Sequence, residues 1–257
     1  MLAHTIHGDP GQGRPLIIAH GLFGSGRNWG AIAKQLADTR PVVTVDMRNH
    51  GASDWSDRHD YEAMAGDLAE VIATLGSPAD VLGHSMGGKT AMVLALTHPG
   101  HVARLMVADI APVAYTHTQM HNLNALRAVD LTRVKTRRDA DAQLQDSVPD
   151  PMTRAFFLQS LDVKAGRWRL NLDVLAREMD KILGFPEITD PYDGPALFLS
   201  GALSDYVQRT DRDRIKALFP KAVFVKIPGA GHWLHAEKPQ EVTAALQVFL
   251  DKTEARA

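Results

Sequence analysis

The chain has 257 residues, 45% of them hydrophobic, with 28 basic against 30 acidic side chains and a formal net charge of −2. That length buries about three quarters of the unfolded surface in one core, so one large domain with an inserted subdomain is the expectation. The near-neutral balance, with no block of like charge, argues against nucleic acid or membrane partners, and the lack of cysteine removes disulfides, thiolate zinc sites and cysteine nucleophiles.

The N-terminus, "MLAHTIHGDP", has neither a charged n-region nor an apolar h-region, so no signal peptide is expected. His4 and His7 lie in an alternating strand pattern and read as surface histidines, not metal ligands; H-E-x-x-H is absent. Short apolar runs then recur between turn residues: "PLIIAHG" from Pro15, "PVVTVDMR" from Pro41, "DVLGHS" from Asp80 and "RLMVADI" from Arg104. "PALFLSG" from Pro195 and "AVFVKIPG" from Ala222 complete the series. Continuous runs of this length suit strands buried on both faces. Helical patterns lie between most of them. "NWGAIAKQLAD" precedes the second run, and "YEAMAGDLAEVIATLG" precedes the third, with Met64, Leu68, Val71, Ile72 and Leu75 at helical spacing and Gly76 as the stop. "KTAMVLALTHPG" follows the third, and "TAALQVFLDK" comes last. This alternation predicts a mostly parallel central sheet flanked by helices, an α/β class. With no apolar run of about 18 residues, a soluble cytoplasmic protein is expected.

The alternation breaks between Val113 and residue 190, where "THTQMHNLNALRAV", "TRAFFLQSL" and "LDVLAREMDKIL" read as helices and "RWRLN" as at most a short edge piece. The expected organisation is a core of residues 1–112 and 191–257 with a helical cap, or lid, inserted at 113–190. The basic cluster "RVKTRRD" within it reads as a solvated face.

"GHSMGGKT", Gly83 to Thr90, fits two patterns. As a phosphate loop, Gly83, Gly88, Lys89 and Thr90 would cradle phosphates after a strand, and Asp109 would pass for the acid that orders magnesium. As a nucleophile elbow, Gly83 and Gly87 make room for a sharp turn that exposes Ser85. Two remote stretches decide. "HGLFGSG" from His20 follows a strand and supplies a loop amide, Leu22, which with the Met86 amide would hold an oxyanion. "GAGHWLHAEKP" from Gly229 follows the last strand and supplies His232 as the base that a serine hydroxyl requires; His235 competes but lies outside the glycine-flanked turn. The serine hydrolase reading explains Ser85, Leu22, Met86 and His232 together. Lys89 and Thr90 then belong to the helix after the elbow, beyond the reacting atoms.

Five motifs in order, "HGLFGS", "DMRNHGASD", "GHSMGGK", "DIAPV" and "GAGHWLHAEKP", resemble the α/β-hydrolase superfamily, and most closely the YbfF-type bacterial esterases and their mitochondrial relatives. The resemblance implies the α/β-hydrolase fold with a helical cap, carboxylester hydrolysis on small to medium acyl esters and sometimes acyl-CoA thioesters, and neither metal nor organic cofactor. In "DMRNHGAS", Arg48 is expected to tie loops together and Gly51 to permit a turn. The residues leave the triad acid open between Asp109 and Asp205, both at loops expected beside His232. The superfamily's habit favours Asp205, although "GALSD" spaces it one residue further than the common G-x-x-D, whereas the resemblance to the YbfF type points to Asp109; Asp109 is the expected triad acid, with Asp205 a loop or pocket residue. Phe23, Met86 and Trp233 flank the reacting positions as pocket wall. Phe156, Phe157 and Trp168 either close the pocket from the cap or pack within it. Rival readings are a thioesterase or C–C bond hydrolase on the same scaffold, or a low-turnover receptor that keeps the triad. Substrate identity and oligomeric state are not set by these motifs.

Overall fold

The computed structural model describes residues 1–76 and 78–254. All six apolar runs form strands, and the alternating N-terminal stretch adds a seventh. The elements of the first half are β1 (His4–His7), β2 (Leu16–Ala19), α1 (Gly30–Leu36), β3 (Val42–Val45), α2 (Tyr61–Thr74), β4 (Ala79–His84), α3 (Met86–Thr97) and β5 (Val102–Ala108). After an interlude come β8 (Ala196–Gly201), α9 (Arg212–Leu218), β9 (Ala222–Ile227), α10 (Leu234–Glu237) and α11 (Pro239–Glu254). The seven strands are ordered β1-β3-β2-β4-β5-β8-β9, with β1 antiparallel to β3 and every other pair parallel.

Strands β2, β3, β4 and β8 are buried along their whole length because both sheet faces are covered. Ile17 enters the core that α2 and α3 complete with Leu68 and Met92, whereas Leu16 and Ile18 enter the opposite core with Ile32, Leu36, Leu246 and Leu250 of α1 and α11. β9 is an edge strand, and Val223 is exposed there. α2 starts where the Asp60 side chain accepts the Ala63 amide and ends before Gly76 at φ +79, the expected stop.

The interlude between β5 and β8 holds α4 (Met120–Ala128), α5 (Arg137–Leu144), α6 (Pro151–Leu158), the two-residue strands β6 (Leu161–Asp162) and β7 (Arg167–Trp168), α7 (Leu172–Arg177) and α8 (Met179–Leu183). Three features depart from expectation. The "RVKTRRD" stretch is not only a solvated face: Arg137 starts α5, capped by Thr136 and Asp139 and burying Ala140 and Leu144. "LDVLAREMDKIL" is two helices rather than one. "RWRLN" pairs with β6, off the main sheet, and Leu170 bridges to His50 of the core.

β2 leads to β3 on one side and to β4 on the other, so the strand order reverses beside β2. The carboxyl ends of β2, β4 and β5 lie side by side at this switch point, where open α/β sheets bind ligands, and the loop after the edge strand β9 reaches back to it through the His232 carbonyl, which accepts from His84.

Candidate active site

Ser85 stands between β4 and α3 at φ +52, ψ −119, a strained conformation for a residue with a side chain. The turn closes only because its flanks are glycine. A Cβ on Gly83 would lie 2.1 Å from the Gly87 carbonyl oxygen, and one on Gly87 would lie 2.4 Å from that of Ala19. The elbow therefore presses against β2, and the loop after β2 comes to the serine. Met86 supplies the first amide of α3, which has no partner inside the helix. No hydrogen bond occupies the Leu22 amide among the described residues.

His232 and Asp109 meet. The imidazole Nδ1–H donates to Asp109 Oδ2 at 2.8 Å, across 123 positions of sequence. Asp109 follows β5, is fully buried and has φ +52. The Gly201 amide donates to its Oδ1 at 2.9 Å, and the Ser204 hydroxyl donates to Oδ2. Asp205 is exposed, so of the two acids only Asp109 contacts the imidazole. Tyr206 stacks on the His232 ring at 3.8 Å between centroids, and His84 Nε2–H donates to the His232 carbonyl at 2.9 Å. No hydrogen bond joins Ser85 to His232 in this state, although both line one cavity.

That cavity has a volume of about 230 Å³. Leu22, Phe23, Met86 and Trp233 line it from the core, and Phe156 and Phe157 from α6. Phe157 meets Phe23 edge-on at 5.4 Å, and Phe156 lies 5.6 Å from Trp233. Trp168 is absent from this lining: its indole donates to the Leu126 carbonyl inside the helical segment.

His235 is buried and stacked on Trp29 at 4.4 Å, and burial lowers its pKa to about 3. Arg48 forms a two-pronged pair with Asp67 at 2.6 and 2.8 Å and donates to the Ala63 carbonyl, so it ties its loop chiefly to helix α2, and it reaches the loop before that helix at the Arg58 carbonyl, 3.3 Å away. Gly51 has the positive φ, +60, that its turn needs. Lys89 differs from expectation. It lines the cavity, is 1% exposed, and its Nζ donates to the Leu183 and Gly184 carbonyls at 2.8 and 2.5 Å, with the Tyr115 ring 4.7 Å away. Burial lowers its pKa to about 7. A phosphate-loop lysine would be free to reach a nucleotide, whereas this one closes the end of α8.

Ser204, Tyr206 and His84 are site residues that sequence reasoning missed. Their only signal is position at the carboxyl ends of strands, which many residues share.

A profile of the alpha/beta hydrolase fold matches residues 14–239. The chain belongs to the α/β-hydrolase family. The hydrolase is 44% identical over 246 residues to the Mus musculus protein named sn-1-specific diacylglycerol lipase ABHD11, an alignment covering 91% of this chain and 80% of that protein. It is 39% identical over 240 residues to Esterase YbfF of Escherichia coli K12, covering 92% and 93% of the two chains. A solved structure described as a marine microorganism esterase superposes with a TM-score of 0.92 at 41% identity, covering 96% of this hydrolase and 98% of that chain. By these likenesses the hydrolase acts on carboxylic esters. Among its described residues no helix is long and apolar enough to cross a membrane, and no His, Asp and Glu cluster is arranged to hold a metal ion.

Proposed function

We propose that the chain is a serine carboxylesterase for small to medium acyl esters, working through Ser85, His232 and Asp109 with an acyl-enzyme intermediate. The observation that carries this reading is the Asp109–His232 hydrogen bond at the edge of the cavity that Ser85 also lines. His232 Nε2 takes the Ser85 proton as Oγ attacks the ester carbonyl. The oxyanion is held by the Leu22 and Met86 amides, and the proton then passes to the departing alcohol. Water attacks the acyl-enzyme in the same way and releases the acid. The lack of a Ser85–His232 hydrogen bond in this state is consistent with this sequence, because such contacts form or tighten when substrate binds. Asp109 stabilises the imidazolium and keeps Nδ1 protonated, leaving Nε2 to act as base.

The substrate class follows from the cavity. Its wall is largely apolar and aromatic, with Leu22, Phe23, Phe156, Phe157 and Trp233, and favours an acyl chain over a sugar or a peptide. Residues 113–190 act as the cap over the acyl group, through Phe156 and Phe157. Acyl-CoA thioesters remain a second substrate class for the same attack.

The test is fluorophosphonate labelling beside a p-nitrophenyl ester series from acetate upward. Ser85→Ala is expected to abolish both labelling and turnover while the protein stays folded. More than a few per cent residual activity would remove Ser85 as nucleophile, and labelling without turnover would favour a receptor.

A further inference from the structure

The loop Gly21–Gly24 brings the Leu22 amide to the cavity, and its conformation is not set by local propensity. Phe23 has φ +66, a left-handed conformation that a residue with a side chain adopts only when its surroundings hold it there. Side chains from distant parts of the chain hold the loop there. The Gly21 carbonyl, in the same peptide plane as the Leu22 N–H, accepts from His20 Nδ1–H at 2.8 Å and from the Gly24 amide at 3.0 Å. The next plane is held by its Phe23 N–H, which donates to His50 Nε2 at 3.2 Å. The Phe23 carbonyl accepts the Ser160 hydroxyl at 3.0 Å.

His50 is suited to that acceptor role. Its Nδ1–H donates to the Arg48 carbonyl at 2.9 Å, so the Nε2 lone pair faces Phe23. A protonated ring would set N–H against N–H. Burial, with His20 and His59 nearby, holds the His50 pKa well below the ordinary histidine value. The loop around His50 also reaches the helical segment: Gly51 N–H donates to the Arg169 carbonyl at 2.8 Å, and Asn171 N–H to the Asn49 carbonyl at 3.0 Å. Arg169 N–H in turn donates to the Ser160 carbonyl at 2.8 Å. Phe23 is thus gripped at its amide by His50 and at its carbonyl by Ser160, and those two grips are tied to each other.

We propose that His50 is a positioning residue for ester hydrolysis: its neutral imidazole fixes the Leu22–Phe23 peptide so that the Leu22 amide stays aimed at the developing oxyanion. This rests on the reading of Leu22 as an oxyanion donor. A donor swung off its target stabilises the transition state less while leaving ground-state binding almost unchanged, so the loss falls on kcat.

The experiment compares His50→Asn with His50→Gln. The Asn amide replaces Nδ1–H on the Arg48 carbonyl but falls short of Phe23. The Gln carbonyl reaches the Nε2 position and accepts the Phe23 N–H. With p-nitrophenyl acetate, His50→Asn is expected to lower kcat about tenfold to a hundredfold, less than outright removal of an oxyanion donor, with KM within about twofold. Affinity for phenylboronic acid, whose serine adduct is tetrahedral, falls by a similar factor. His50→Gln brings kcat back to within about threefold of the parent. Parental kcat in His50→Asn, a loss confined to KM, or equal losses in both variants that follow their thermal stability would each overturn the proposal. A parent protein that neither turns over the ester nor labels at Ser85 would overturn the esterase reading itself, and this inference with it.

Discussion

The carboxylate of Asp109 accepts from three donors, His232 Nδ1–H, the Gly201 amide and the Ser204 hydroxyl, and no water reaches it. A buried carboxylate so surrounded is satisfied as an anion and has one orientation. Its amide isostere would turn an N–H toward Nδ1–H or force the other tautomer on His232. Asp109→Asn is therefore expected to lower kcat by as much as ~10⁴ with an activated ester. Asp205→Asn, at an exposed side chain, stays within about threefold, as surface changes usually do. Steady-state kinetics of the two variants side by side decide the matter; a large loss confined to Asp205→Asn reverses the assignment.

At the scale of elements, the turn into α3 holds Ser85, the proposed nucleophile, and the first turn of α3 holds the anchor for α8. Lys89 lies one turn beyond Ser85 and closes the carbonyls of Leu183 and Gly184, next to Ile182 and Leu183 in the cavity wall. Lys89→Met takes the lysine donor from the Gly184 carbonyl and one of two donors from the Leu183 carbonyl, which keeps the Tyr115 amide at 3.0 Å, and a loss of ~1 kcal/mol in urea unfolding is expected. Turnover of the smallest ester stays within about tenfold, a barrier change of roughly 1.4 kcal/mol, because the lysine touches no reacting atom. Nucleoside triphosphate should leave the parent's melting temperature unchanged; a clear rise would revive the phosphate-loop reading of Gly83 to Thr90. α6 offers the complementary test. Phe156 and Phe157 face the acyl space, so truncating either to Ala should lengthen the preferred acyl chain more than it changes kcat for the acetate. An unchanged chain-length profile would leave both rings as packing alone.

For the molecule as a whole, acid is the weak side. Five histidines, His20, His50, His59, His84 and His235, are buried with pKa values lowered chiefly by desolvation, His59 and His235 to about 3. The sign follows from linkage. Below about pH 6.5 the unfolded chain binds these protons and the folded chain does not, so stability is present above that pH and is lost as pH falls toward 3. Each fully discriminating histidine contributes a slope of about 1.4 kcal/mol per pH unit. Five would approach roughly 7 kcal/mol per unit, comparable with the whole stability of a typical domain. Cooperative acid unfolding near pH 5 is expected by circular dichroism, together with proton uptake on unfolding. Unchanged stability from pH 7 to pH 4 would mean that these rings are already charged or hydrated in the folded state.

The strands, their burial on both faces, the elbow at Ser85 and the loop that carries His232 could be read from the chain alone, because each is written in neighbouring residues. Apolar runs must be covered on both sides, and Gly83 and Gly87 around Ser85 read as an elbow once the stretches from His20 and Gly229 are set beside them. α5 was within reach as well, since Thr136 and Asp139 form a capping pair ahead of it. The break between α7 and α8 was not, because no glycine or proline marks it. Asp109 and Asp205 are locally equivalent, an acid after an apolar strand, and only the order of strands puts one of them against Nδ1. The same holds for Ser204 against Asp109 and Tyr206 against His232, for Lys89 under α8, and for His50 at the Phe23 amide. Each is a contact between residues far apart in the chain, and a hydrogen bond across a hundred positions leaves no periodicity or spacing behind; it exists only when the sheet has brought its two ends together.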